Sequence, residues 1–158
     1  MAFSGYLKIT DIEGESLRAG HEGEIVIASF SWGANRSAFR NSGGQRESGI
    51  PEVSSISISK DYDCSSPYLA WSCIKAANLG ETVLTMRKDQ GEEHQDYLTI
   101  TMTNTLVETY QVSGGGGGNP MDSLSLSFDS IKIKYLQDAS DLTDGAEHEI
   151  EYDILAAV

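Results

Sequence analysis

Alternation of apolar and polar residues runs through most of the chain and predicts strands, interrupted by one central stretch with helical spacing. Gly5 to Ile12 sets Leu7 and Ile9 against Lys8 and Thr10, the two-residue period of a half-buried strand. In Glu24 to Trp32, Val26, Ala28, Phe30 and Trp32 share one face while Ile25 and Ile27 head the other, so its start is expected to be covered on both sides. Val53 to Tyr62 places Ile56, Ile58 and Tyr62 opposite Ser55, Ser57 and Ser59. Thr82 to Lys88 and Tyr97 to Thr103 flank the polar turn DQGEEHQD and predict a hairpin. After a break at Asn104 the alternation resumes over Leu106 to Val112, a run long enough to pass from one sheet to another. Ser123 to Tyr135 changes phase: Leu124, Leu126 and Phe128 are even-numbered, Ile131, Ile133 and Tyr135 odd-numbered. That flip predicts a bulge or corner near Asp129 and Ser130. Gln137 to Gly145 reads as a polar loop. The final strand, Glu147 to Leu155, has Glu147, Glu149, Glu151 and Asp153 on one face and His148, Ile150, Tyr152 and Ile154 on the other.

The helical stretch is DCSSPYLAWSCIKAANLG, with a helix expected from about Ser66 to Asn78. Ser66 suits the N-terminal cap and Pro67 the first helical position, where no N–H is needed. Leu69, Ala70, Cys73, Ile74 and Ala77 form an apolar stripe, and Gly80 follows as a left-handed C-terminal cap. One helix cannot bury such a stripe alone, so it needs a sheet or barrel to lie against. Trp71 and Lys75 fall off the stripe, facing either a neighbouring subunit or the rest of the same one. The five glycines Gly114 to Gly118 read as a hairpin tip rather than a domain linker, because too little chain follows for an independent core.

Gly33 to Ile50 has no period of either kind and carries Arg36, Arg40 and Arg46 against the single acid Glu47. Its positive balance is conspicuous in a chain of 158 residues with a formal charge of −13. It reads either as a surface loop or as an arm that docks on an acidic surface, with Phe39 and Ile50 as anchors and the arginines as pairing groups. The row Glu147, Glu149, Glu151 and Asp153 is likewise either a solvated face opposite Lys132 and Lys134 or the acidic surface that such an arm meets on another subunit.

The overall acidity argues against nucleic acid or an anionic membrane as partner, and the length is that of one domain. No apolar run reaches membrane-spanning length, and the N-terminal residues lack a signal-peptide pattern, so synthesis in the cytosol is expected. The common local signatures of hydrolases, zinc enzymes and nucleotide binders are missing, and no catalytic, metal or cofactor residue is assigned. His21, His94 and His148 share no metal-ligand spacing and are expected at the surface. Asp61 and Asp63, flanking Tyr62, are a second-choice calcium site. Cys64 and Cys73 are expected to remain thiols, the first at the helix entrance and the second well inside it.

The ordered series GYLKITDIEGES, HEGEIVIASFSWG, a long Gly/Ser/Arg segment, SISKDYD, SPYL, TVLTMRK, YLTITMTNTLV, QVSGGGGG and SLSLSFDSIKIKY resembles the haemolysin-coregulated protein (Hcp) family, the tube subunits of type VI secretion systems. The resemblance spans about Gly5 to Tyr135. It implies a mainly β fold, a compact β-barrel of two packed antiparallel sheets with one α-helix at its side, in a single domain with an extended loop at about 33–51. It also implies homohexameric rings that stack into a hollow tube inside a contractile sheath, are capped by a VgrG-like spike, and have baseplate proteins as further partners. Such a protein is cytoplasmic before firing and then secreted, and can carry effector cargo in its lumen. The alternatives are a ring-forming secreted cargo chaperone that builds no long tubes, and an enzyme with an unrecognised site. Where family members end in a Gly-Trp-Asp-like strand with lysines near the terminus, this chain has Ile150-Glu151-Tyr152-Asp153-Ile154, which implies different contact electrostatics.

Overall fold

Where the alternation holds the chain forms strands, and where it breaks the chain turns from one layer to another. The computed structural model describes residues 3–90, 93–137 and 145–158. In order it contains β1 (Ser4–Ile9), β2 (Ile25–Ile27), β3 (Ser29–Ser31), β4 (Ala34–Arg40), β5 (Arg46–Val53), β6 (Ile56–Asp61), α1 (Ser66–Lys75), β7 (Thr82–Gln90), β8 (Glu93–Thr103), β9 (Leu106–Ser113), β10 (Met121–Ser127), β11 (Ser130–Leu136) and β12 (Glu147–Asp153). One antiparallel sheet has the order β12-β11-β8-β7-β1-β2, a second β3-β6-β10-β9, and β4 and β5 pair alone. This is the expected mainly β fold of packed antiparallel sheets with one helix. The ladders stay open, leaving β12 and β2 as edges of the first sheet and β3 and β9 as edges of the second.

Leu7, Ile25, Leu84 and Met102 of the first sheet and Ile56, Ile58, Leu124 and Leu126 of the second are fully buried in one apolar cluster. Each such side chain contributes about 1.5–3 kcal/mol on removal from water. The two sheets are joined by corners at which one run of chain changes sheet. Asn104, with φ of 49°, turns β8 into β9, and its Nδ2 donates to Asp129 Oδ2 at 3.1 Å. Beside it Asp129 N donates to Thr103 O at 3.0 Å, where β10 gives way to β11 at the phase flip read from the sequence. The third corner was not expected. Glu24 to Trp32, read as one strand, divides at Ala28 into β2 and β3, which lie in different sheets. Val26, expected to be covered, is 48% exposed, because the second sheet takes the chain over before β2 is roofed on that side.

The helix is shorter than expected and turned differently. It ends at Lys75, with Ala76 as a left-handed cap at φ of 51° and Ala77 N donating to Ser72 O at 3.1 Å, not at Gly80. The chain is captured early because Leu79 enters the core while its N–H donates to Thr105 O at 2.8 Å. Ser66, Leu69 and Ser72 line the buried side, whereas Ile74 is 74% exposed. The serines turn inward because their hydroxyls have acceptors there: Ser72 Oγ donates to the Tyr68 carbonyl at 2.8 Å, and Ser66 joins a buried ionic cluster. Ser65, not Ser66, occupies the N-cap position.

The centre of that cluster is Lys60, on the inward face of β6 and wholly inaccessible. Its Nζ lies 3.0 Å from Asp63 Oδ1, 3.0 Å from Asp122 Oδ2 on β10, 2.8 Å from Ser66 Oγ and 3.0 Å from the Asp61 carbonyl. Ser66 Oγ in turn donates to Asp122. The alternation placed Tyr62 as the inward residue after Ile58, but Lys60 comes first and Tyr62 is 45% exposed. The Asp63 carboxylate, half of the second-choice calcium site, is engaged by Lys60 and by Ser65 N at 2.9 Å. Burial and then the charge of Asp122 push the Tyr110 phenol up to about 12.

Three outcomes follow from this packing. Lys60→Met strands two carboxylates inside the fold and lowers stability by about 3–5 kcal/mol, read as a lower urea midpoint at unchanged slope. Ala76→Gly raises stability by about 1 kcal/mol, because glycine adopts the left-handed conformation without a Cβ clash. In an ultraviolet pH titration of the folded protein, Tyr110 ionises about two units above an ordinary tyrosine.

Candidate functional site

The segment 33–51, read as an aperiodic loop, is a two-stranded hairpin built on β4 and β5. Its turn is organised by Asn41, whose Oδ1 accepts from the N–H groups of Gly43 and Gln45 at 3.0 Å each, with Gly44 at φ of 81°. A register shift between Arg36 and Ala38 adds a bulge on β5. Gly49 sits there so close to Ser37 that a Cβ would meet Ser37 Oγ at 2.4 Å. The bulge explains why no two-residue period was legible: the extra residue inverts the faces midway along β5. Every residue of β4 is exposed, and neither strand pairs with another sheet.

Cross-strand partners share a face, so the hairpin has two unlike sides. Arg36 pairs with Pro51 and Arg40 with Arg46, putting the three arginines on one side; Phe39, opposite Glu47, lies on the other. Arg40 and Arg46 are like charges directly across a ladder, an arrangement that costs stability in isolation. Arg40 relieves part of it by donating from Nη1 to the Gly44 carbonyl at 3.1 Å. Phe39 is 56% and Ile50 86% exposed, large apolar side chains left in water.

The acidic row is largely matched within the chain. Lys132 Nζ lies 3.2 Å from Glu149 Oε1 and Lys134 Nζ 3.1 Å from Glu147 Oε1, diagonal pairs across the β11/β12 ladder. Asp153 Oδ1 accepts from Ala156 N at 3.0 Å and caps the C-terminal turn. Glu151, opposite Lys132 in register, has no ion pair among the described residues. The other face of β12 is more telling. Ile100, Ile133 and Ile150 stand side by side across β8, β11 and β12, and exposure rises along the row from buried Ile100 to Ile150 at 66%. Apolar surface therefore continues past the core to an unpaired strand edge.

On the helix, Trp71 is 58% exposed with Lys75 Nζ 4.8 Å above its ring, and Tyr68 and Ile74 are also exposed, so the outer helix face is apolar. Cys64 and Cys73 are both free thiols. His94 and His148 are exposed, as expected. His21 is buried, contrary to expectation, because Glu24 and Asp96 supply carboxylates to both ring nitrogens. Glu24 at three residues' distance was visible in the sequence; Asp96, 75 residues away, was not.

The exposed arm, the open apolar edge and the apolar helix face define a protein of contact surfaces. A family model described as "Type VI secretion system effector, Hcp" matches residues 6–135. Protein hcp1 of Pseudomonas aeruginosa is 31% identical over 142 residues, covering 89% of this chain and 88% of that one. A solved type six secretion system protein has a TM-score of 0.92 at 24% identity, over 99% of each chain. Hcp1 of Salmonella typhimurium has a TM-score of 0.78 at 26% identity, over 99% of this chain and 97% of that one. The chain belongs to the Hcp family of type VI secretion system proteins.

The ion pairs of β12 are solvent-facing, so Glu149→Gln should cost less than about 1 kcal/mol, and the difference should shrink in high salt. Thermal unfolding at low and high ionic strength checks this.

Proposed function

We propose that the chain is a structural, non-enzymatic subunit that forms homohexameric rings, stacks them into a hollow tube, and leaves the cell with a VgrG-like spike. On this reading it is one domain, cytoplasmic until a contractile sheath on its baseplate fires. The lumen carries effector proteins. The observation that supports it most is the arm: an isolated hairpin with Arg36, Arg40 and Arg46 on one side and Phe39 on the other, in a chain of charge −13. A cross-strand arginine pair is relieved when carboxylates of another copy approach, and Glu151 on the edge strand has no ion pair among the described residues. Ile150, at the end of its apolar row, suits the lateral contact between neighbours within a ring. Family membership supports the same reading, since relatives are type VI secretion proteins.

Light scattering with negative-stain microscopy tests it. Rings of about six times the 17.1 kDa chain mass are expected, some of them stacked. Stacking should fall when salt shortens the Debye length from about 10 Å to about 3 Å. The triple variant Arg36→Glu, Arg40→Glu, Arg46→Glu should keep the ring mass and lose the stacks. A monomer at every concentration overturns the proposal. Rings that never stack leave the cargo-chaperone reading in its place.

A further inference from the structure

His21 has a place in the fold that assembly does not explain. Its ring lies flat on Tyr6 of β1, with centroids 4.5 Å apart and planes 6° apart. Nδ1 is 2.6 Å from Glu24 Oε2, and Nε2 is 2.9 and 3.1 Å from the two carboxylate oxygens of Asp96 on β8. A neutral imidazole has one N–H, so one of its nitrogens would turn a lone pair towards a carboxylate. Holding both acids requires the imidazolium.

The histidine sits in the connection between β1 and β2, which is folded tightly on itself. Gly14 N donates to Gly23 O at 2.8 Å, Gly23 N to Ser16 O at 2.9 Å and Ser16 N to Glu24 O at 3.0 Å. Gly14 lies so close to the strand that a Cβ there would meet the Glu24 carbonyl at 2.4 Å. His21 to Asp96 ties this connection to β8, and Arg87 Nη1 to the Ala19 carbonyl at 2.9 Å ties it to β7. The titratable groups that touch the ring are Tyr6, Glu24 and Asp96; Arg18 and Glu22 neighbour it along the connection, and Arg87 faces Asp96 across the β7/β8 ladder, with Lys88, Asp89 and His94 further along it. Asp89 lies 3.2 Å from Arg87 Nε and 2.6 Å from His94 Nδ1, an ion-pair group of its own beside the clasp.

We propose that His21 is a pH-operated clasp, fastening the β1–β2 connection to β8 as an imidazolium and releasing it on losing its proton. Burial alone would lower the imidazole pKa, but the hydrogen bonds and charges of Asp96 and Glu24 outweigh it and raise the pKa above 6.5. A group whose pKa is raised by folding gives its full stabilisation below the unfolded value, here 6.5, and loses it as pH climbs through the folded value. The connection is therefore fastened below about pH 6.5 and loosens as the pH rises through the raised folded value.

Hydrogen–deuterium exchange of the full chain, corrected for intrinsic rates, reads the clasp directly. Protection across residues 14–24 should fall about tenfold or more between about pH 6 and about pH 9, while the β10 amides keep theirs. His21→Gln should show low protection at both pH values. In Asp96→Asn, a milder change at a half-exposed carboxylate, the imidazole NMR titration should move to lower pH by about one unit. Equal protection of 14–24 at both pH values overturns the proposal. So does an unchanged pH response in His21→Gln, or an unmoved midpoint in Asp96→Asn.

Discussion

A charged lysine with no access to water is the constraint around which the second sheet and the helix are arranged. Lys60 can be buried because Asp63, Asp122 and Ser66 supply oxygen acceptors within 3.0 Å. These groups come from the approach to the helix, from β10 and from the helix's first turn. Each is held where it is by the others, so the helix cannot slide along the sheet without leaving a charge unpaired in a low-dielectric interior. An apolar contact would tolerate sliding by a residue; an ionic cluster with fixed hydrogen bonds does not. The direction in which α1 presents Tyr68, Trp71 and Ile74 to solvent follows from that anchorage.

Layer changes were legible wherever they left a mark in the alternation. The parity switch between Phe128 and Ile131 and the break at Asn104 both fall at corners, because a strand that crosses to the other sheet must turn its apolar face around. Ala28 left no such mark: Ile25, Ile27, Phe30 and Trp32 surround it, and a continuous apolar run reads equally well as one buried strand. The β4–β5 hairpin was hidden for a different reason. Its strands bury no face, so no selection for alternation acts on them, and the bulge scrambles what period there is.

Candidate residues fared according to whether their partners were local. The three arginines were visible as a charge anomaly, though their sharing one side depends on the register of the hairpin. The acids of β12 were visible as a row, but diagonal pairing with Lys132 and Lys134 engages Glu149 and Glu147 and, among the described residues, leaves Glu151 and Asp153 without an ion pair. The family match covers residues 6–135 and so ends before this strand. The burial of Lys60 and of His21 was not legible because Asp122 and Asp96 are brought to them from far along the chain. Polar residues on inward positions are readable only once their partners are known.

The corners also bear on how the fold would resist shear. Among the described residues, the two large sheets exchange chain directly at Ala28, Asn104 and Asp129. A force that shears one layer past the other is taken up at these points along the covalent backbone before any side-chain contact yields. Two sheets held together by apolar packing alone would creep under shear; two sheets stitched by their own chain behave as one stiff tile.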